Sequence, residues 1–245
     1  MFDTELSSAV SLGAYSVSSP VLTRQLLEQG NLDALVAQDS CGSRVLSEAD
    51  RQVSLRSVLA RRPPGEVWVF AYGSLVWNPM LRAAERRIAQ VDGWHRSFCF
   101  SITSLRATAD QPGLMLGLER GGRCKGVAYR LEETDIEQEL KLLWRREMAC
   151  GAYVPRWVEL SDESGGVLGS AIAFTIDRDL PQYAGDLDVD SVVHRLATAA
   201  GALGSCRDYL YRTCDALTNI GCQDQALDAL AVLVHAVSGD RPWRE

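Results

Sequence analysis

The run Val67-Trp68-Val69-Phe70-Ala71-Tyr72-Gly73-Ser74-Leu75-Val76-Trp77-Asn78-Pro79 constrains this chain more than any other stretch. Its first residues are apolar, β-branched or aromatic, the pattern of a buried strand. The run breaks at Gly73-Ser74 and is stopped by Asn78-Pro79, a turn pair. A buried strand that ends this abruptly points backbone N–H groups past its last residue, and glycine lets the backbone approach a ligand closely. Clusters of N–H groups bind carboxylates and stabilise oxyanions. Gly-Ser also serves as a plain turn, so the rest of the chain has to decide between the two.

Composition narrows the class. The 245 residues can form one large domain or two small ones, and 47% hydrophobic with 23% charged residues is ordinary for a soluble globular protein. A formal charge of −7 offers no net positive field, which argues against a nucleic-acid partner. Seven cysteines, an odd number with no Cys-x-x-Cys pair, suggest neither a disulfide framework nor a zinc site, and read as reduced thiols of a cytoplasmic protein. Acidic residues near Met1 do not suit a signal peptide. The apolar stretch 226–237 is interrupted by Asp228 and His235 and is too short to span a bilayer, so no membrane role is expected.

Along the chain, residues 1–19 are polar with no sustained period and predict poor order. Apolar spacing from 20 to 29 predicts a short helix ended at Gly30. A second helix, with Ser47 as N-cap, runs through Val53, Leu55, Val58 and Leu59 toward Pro63-Pro64. Residues 1–63 thus form a helical arm and 64–240 the main domain. Beyond the motif come a small charged segment at 83–89 and strand-like runs at 91–102, 114–119 and 126–131, the last two parted by Gly121-Gly122. A hairpin follows (153–160 and 167–177), then helices at 189–200, 205–218 and 223–237. The expected class is α+β.

One helix interrupts the strands. Thr134-Asp135-Ile136-Glu137 reads as a capping box, and Ile136, Leu140 and Leu143 define a buried stripe. Four residues further, the stripe reaches Glu147, with Trp144 on its flank and Arg145 and Arg146 expected to point elsewhere. A carboxylate on a buried stripe is costly unless paired. Either the helix has frayed there or an arginine pairs with it, or Glu147 is a general acid/base with a raised pKa. Other catalytic signals are thin. His95, His194 and His235 show no metal spacing, Cys150 has no histidine pattern to activate it, and no nucleophile elbow or phosphate-binding loop occurs.

Together these features resemble the ChaC-type γ-glutamylcyclotransferases. Besides 67–79, the resemblance covers Gly-Trp-His-Arg-Ser-Phe-Cys (93–99), Gln-Pro-Gly-Leu-Met-Leu-Gly-Leu (111–118) and Gly-Val-Ala-Tyr-Arg-Leu (126–131). It continues through Trp-Arg-Arg-Glu-Met (144–148) with Gly-Ala-Tyr (151–153), and Gly-Ser-Cys-Arg-Asp-Tyr-Leu (204–210). The bacterial branch looks most similar, since it too carries an N-terminal helical arm. The resemblance implies a mixed β-barrel flanked by helices and cleavage of glutathione into 5-oxoproline and cysteinylglycine. It implies that Tyr72, Gly73, Ser74 and Leu75 cradle the γ-glutamyl group, that Glu147 is the catalytic carboxylate, and that Tyr153 and Tyr209 line the pocket. No metal or organic cofactor is implied, and the oligomeric state is left open. Two departures from the family pattern are Ala107, where Arg-Gly-Thr is usual, and Cys206, where asparagine is usual; both bear on substrate fit.

The chemistry suits the residues. The α-amine of a γ-glutamyl compound can attack its own γ-carbonyl and close a five-membered lactam, so the protein needs no nucleophile of its own. Holding the reactive conformer supplies up to about 7–11 kcal/mol of the barrier. An α-ammonium titrates near about 7.7–8.0, and an ordinary glutamate near about 4.3 would take its proton uphill by roughly 5 kcal/mol. A raised Glu147 pKa reduces that cost. Other γ-glutamyl peptides or amines, a non-catalytic γ-glutamyl-binding or transport-regulating protein on the same fold, and hydrolysis by an activated water are the competing readings.

Overall fold

The computed structural model describes residues 22–30, 32–33, 36 and 45–239. The 1–19 segment and Cys41 lie outside them. The centre is a closed five-stranded barrel of β1 (Trp68–Ala71), β2 (Ala83–Ile102), β3 (Gly113–Leu131), β4 (Tyr153–Ser161) and β5 (Val167–Ile176), in the order β1-β3-β2-β4-β5. β1 lies antiparallel to β3, with Ala71 opposite Val127, and parallel to β5, with Trp68 opposite Ala171. It therefore has a neighbour on each side, and all four of its residues are buried. That position explains why the motif strand is apolar at consecutive positions. One parallel pair among antiparallel ones makes the barrel mixed, and the class is α+β as expected.

The strand layout differs from expectation in two places. The charged segment Ala83 to Ala89 is the start of β2, paired with β3 from Ala83 opposite Leu131 onward. Its residues from Ala83 to Ile88 are exposed or half-buried on both faces, so charge there is compatible with a strand. The runs at 114–119 and 126–131 are one strand, not two. Gly121 and Gly122, at φ 105° and 69°, face a register shift between Asp92 and Trp94 and form an irregularity inside the long hairpin rather than its end.

Helix α3 (Ile136–Glu147) also opens differently. No capping box forms: Asp135 at the N-cap is helical (φ −109°, ψ −7°) instead of extended, and its side chain caps nothing. Glu137 is engaged by Lys141 at 2.9 Å instead of reaching back. The stripe is wider than Ile136, Leu140 and Leu143, because Glu139, Leu142 and Trp144 are buried too. The reason is that α3 is covered on two sides. Trp144 packs edge-on against Phe174 of the barrel, while Leu142 joins Leu27, Leu32 and Val36 of the arm in a separate apolar cluster.

The arm contains α1 (Arg24–Glu28) and α2 (Glu48–Leu59). Ser47 caps α2 as expected, in a reciprocal box with Asp50. Arg24 clamps Glu139 with two hydrogen bonds of 2.7 and 2.8 Å, and Arg145 donates to the carbonyl of Leu27 at 3.3 Å and to Glu48 at 3.2 Å. Three further helices, α4 (Val189–Thr198), α5 (Cys206–Asn219) and α6 (Gln225–Ser238), pack on one another, and α4 and α5 also pack against β3.

Arg96 ties these layers to the end of the motif strand. Its side chain is 3% exposed, donates to the carbonyl of Tyr72 at 2.7 Å and to that of Lys125, and lies 3.0 Å from Asp224. Asp224 is also the N-cap of α6, accepting from the N–H groups of Ala226 and Leu227. Replacing Arg96 by methionine leaves the carbonyls of Tyr72 and Lys125 without this donor and the partly buried Asp224 carboxylate without its cation. The expected loss is about 3 kcal/mol of stability, read as a lower urea midpoint at unchanged slope.

Candidate active site

Beyond Ala71 the chain turns through a short 3-10 segment, Ser74–Val76. The N–H groups of Val76 and Asn78 bond back to the carbonyls of Gly73 and Ser74, which tightens the turn. The N–H of Ser74 faces the hydroxyl of Tyr209 on α5. A side chain on Gly73 would meet that hydroxyl, since its Cβ would lie 2.7 Å from Oη. Glycine is therefore required here for close approach, not for an unusual φ.

The turn forms one wall of a cavity between the barrel mouth, the C-terminal end of α3, α5 and the arm. Tyr72, Gly73, Ser74, Leu75, Glu147, Tyr153 and Tyr209 all line it, so the structure brings together every site residue expected from the sequence. The tyrosines differ in what their hydroxyls do. Tyr72 donates to the carbonyl of Phe174 at 2.6 Å, and Tyr153 to that of Leu116 at 2.7 Å, so both protons are spent inside the wall. Tyr209 accepts from Ser74, and burial pushes its pKa up to about 12, keeping the hydroxyl protonated as a donor.

Glu147 has a partner that the sequence reading placed elsewhere. Arg146, expected to point away, lies with Nε 2.9 Å from Glu147 Oε1; their side chains are 6% and 15% exposed. The approach is an ion contact without hydrogen-bond alignment, and buried Oε1 has no hydrogen-bond partner. Arg146 instead donates to Ser74 Oγ at 2.9 Å and to the carbonyl of Asn78. Burial raises the pKa of Glu147, and Arg146 opposes the rise without cancelling it. Glu139, two turns earlier on the same helix, is the contrasting case. Burial favours its neutral form, but Arg24 and the N–H of Arg82 outweigh this and hold its pKa low. Of these two carboxylates on α3, Glu139 is held ionised and Glu147 is the one whose pKa is raised.

Sequence reasoning missed Arg106 as a site residue. It lines the cavity, donates to the carbonyl of Ser205 at 3.1 Å, and lies 6.0 Å over the Trp77 ring and 5.8 Å over that of Tyr209. Burial lowers its pKa, and among the described residues no carboxylate lies within ion-pair distance of it. A desolvated guanidinium without a carboxylate is ready for an anion. The two departures from the family pattern meet at its backbone: Cys206 Sγ donates to the carbonyl of Arg106 at 3.3 Å, and Ala107 is fully buried beside it. That convergence was the available signal. Among the described residues no group of three or more His, Cys, Asp or Glu could hold a metal ion, and no helix is long and apolar enough to cross a membrane.

The mouth of the mixed barrel thus gathers the turn after the motif strand, a buried acid with a raised pKa and a guanidinium that has no carboxylate partner among the described residues. Comparison with known proteins agrees in fold and sequence. The chain belongs to the ChaC-like protein family, whose description matches residues 67–237. It is 43% identical over 216 residues to the Escherichia coli (strain K12) glutathione-specific gamma-glutamylcyclotransferase, covering 87% of this chain and 92% of that protein. The human glutathione-specific gamma-glutamylcyclotransferase 1 is 30% identical over 178 residues, covering 71% of this chain and 79% of its own length. In fold, the chain is similar to the crystal structure of a yeast gamma-glutamyl cyclotransferase specific to glutathione. The TM-score is 0.63 at 20% identity, covering 71% of this chain and all of that one.

The opposed influences on Glu147 give a direct test. Its carboxyl is expected to titrate above the ordinary carboxylate range, and Arg146→Met, which removes the opposing cation, should move the titration further up. Carbon-detected NMR of the Glu147 carboxyl follows both; a titration that moves down in the variant contradicts the assignment.

Proposed function

We propose that this chain is a γ-glutamylcyclotransferase that cleaves glutathione into 5-oxoproline and cysteinylglycine in the cytoplasm. The observation that most supports it is Glu147: a buried acid with a raised pKa, beside the Gly73–Leu75 turn, in a cavity without a protein nucleophile that has a base beside it. The names of the bacterial and human relatives support glutathione as the substrate.

In this mechanism the N–H groups of Gly73 and Leu75 receive the γ-glutamyl moiety, with Tyr72 and Tyr153 as walls and the Tyr209 hydroxyl, which holds the Ser74 N–H, as a further donor. Glu147 accepts a proton from the substrate α-ammonium. The freed amine attacks the γ-carbonyl, the oxyanion forms against the turn, and the C–N bond to cysteinylglycine breaks as Glu147 returns its proton to the leaving nitrogen; Glu147 then passes the second proton of the attacking nitrogen to the released amine, so that a neutral lactam N–H and the cysteinylglycine ammonium are formed. Atoms and protons balance, and no water enters. Arg146 keeps the ionised form of Glu147 accessible in a buried setting and fixes Ser74. Arg106 takes a substrate carboxylate, giving the cavity two cations and one acid for a substrate with two carboxylates and one ammonium.

Sign matters for the pH dependence. Protonated Glu147 cannot act as the base, so kcat/KM rises with pH through the raised pKa of Glu147 and is lost below it.

Incubation with glutathione, followed by mass spectrometry, is expected to yield 5-oxoproline and cysteinylglycine. Glu147→Gln should reduce turnover by about 10²–10⁴-fold. Glutamate in place of 5-oxoproline would mean hydrolysis, and no product with tight binding would mean a binding protein. Arg106→Met is expected to raise KM for glutathione about tenfold, with a smaller change in kcat.

A further inference from the structure

The cavity is not built by the barrel and its helices alone. Leu22 and Leu32, both in the arm, line it beside Leu105, Ala149 and Cys150. Leu32 is 2% exposed and belongs to the cluster with Leu27, Val36, Leu142 and Ala149, against which Leu22, Leu105 and Cys150 pack. The described residues of this corner are apolar.

The arm is also latched to the reacting end. The side-chain amide of Asn78 donates to the carbonyl of Leu22 at 2.9 Å, and the carbonyl of Asn78 accepts from Arg146. Arg146 in turn holds Ser74 and contacts Glu147. The position of the arm and that of the acid are therefore linked through Asn78 and Arg146, by hydrogen bonds as far as Arg146 and by an ion contact from there to Glu147. The arm precedes residue 67, where the family match begins.

We propose that the arm is part of the substrate site, and that Leu22 and Leu32 are specificity-determining residues that contact the departing half of the substrate. Resting on the glutathione assignment above, the inference is that the γ-glutamyl end occupies the polar wall and the cysteinyl side chain lies against the arm leucines. A free CH₂–SH fits an apolar corner closed by leucines; a bulky substituent on the sulfur collides with them. The arm thus selects the free thiol over S-conjugates of glutathione.

The test uses the full chain as wild type, as the double variant Leu22→Ala/Leu32→Ala, and as Leu32→Trp. The substrates are glutathione, S-hexylglutathione and γ-glutamylalanine, each followed by 5-oxoproline release. Trimming the wall should raise kcat/KM for S-hexylglutathione relative to glutathione about tenfold or more, the scale of a few methylenes in a pocket. Leu32→Trp should lower kcat/KM for glutathione about tenfold while γ-glutamylalanine changes about twofold or less. Parallel loss on all three substrates, or ratios unchanged in both variants, would overturn the proposal and make the arm a brace for stability. Calorimetric binding of glutathione and S-hexylglutathione to the same variants carrying Glu147→Gln gives a second readout. If the wild type releases no 5-oxoproline at all, the cyclotransferase reading fails by itself, and the affinity ratio still decides the role of the wall.

Discussion

The contact between Arg146 and Glu147 is the interaction on which the site depends. A buried carboxylate alone would stay neutral, and a fully hydrogen-bonded ion pair would lock it ionised. Here the guanidinium is close enough to oppose the effect of burial, yet its hydrogen bonds go to Ser74 and the carbonyl of Asn78. Glu147 Oε1 is left with an unused acceptor. The net result is a pKa above the ordinary value but restrained, as an acid/base needs. The same arginine fixes the turn that follows the motif strand, so acid and N–H groups are positioned by one residue.

Glu139 shows how sensitive this balance is. It sits on the same helix and is more deeply buried than Glu147, yet Arg24 binds it through both oxygens and the Arg82 N–H adds a third bond. Such a carboxylate holds layers together and has no reason to release or take a proton. The number and alignment of their donors set the two acids apart: three hydrogen bonds hold Glu139 ionised, whereas burial prevails at Glu147. The rest of the scaffold serves the same end: Arg96 fixes the carbonyl of Tyr72 from the other side, joining the strand end to β3 and the cap of α6. The strand end is thus held from the barrel and from α3 at once.

The sequence made some of this legible and hid the rest. Continuous apolar residues from Val67 to Ala71 identified a buried strand because a strand with two neighbours and two covered faces has nowhere to place a polar side chain. Glu147 stood out because the helical period placed it on an apolar stripe. The same period flagged neither Glu139, which lies on the side of α3 covered by the arm, nor Arg146, whose long side chain curls back to its neighbour. Gly121-Gly122 looked like a turn, since positive φ is common to turns and bulges and only the partner strand tells them apart. Arg106 was visible only as the neighbour of two unusual residues, Ala107 and Cys206, until the fold placed all three together.

By itself the sequence determined the α+β class, the motif strand with its Gly73-Ser74 break, the helix that carries Glu147, and membership in a recognisable family. These follow from local pattern: hydrophobic period, turn chemistry and motif order are properties of neighbouring residues. Only the tertiary structure decided which arginine touches Glu147, which tyrosine hydroxyls are bonded to carbonyls of the wall, and that Leu22 and Leu32 of the arm reach the cavity. Those facts depend on groups dozens of residues apart meeting at short range (even the contact between neighbours Arg146 and Glu147 is set by Ser74 and Asn78, which hold the guanidinium), where ångström distances and donor alignment set the electrostatics, and no local pattern encodes them.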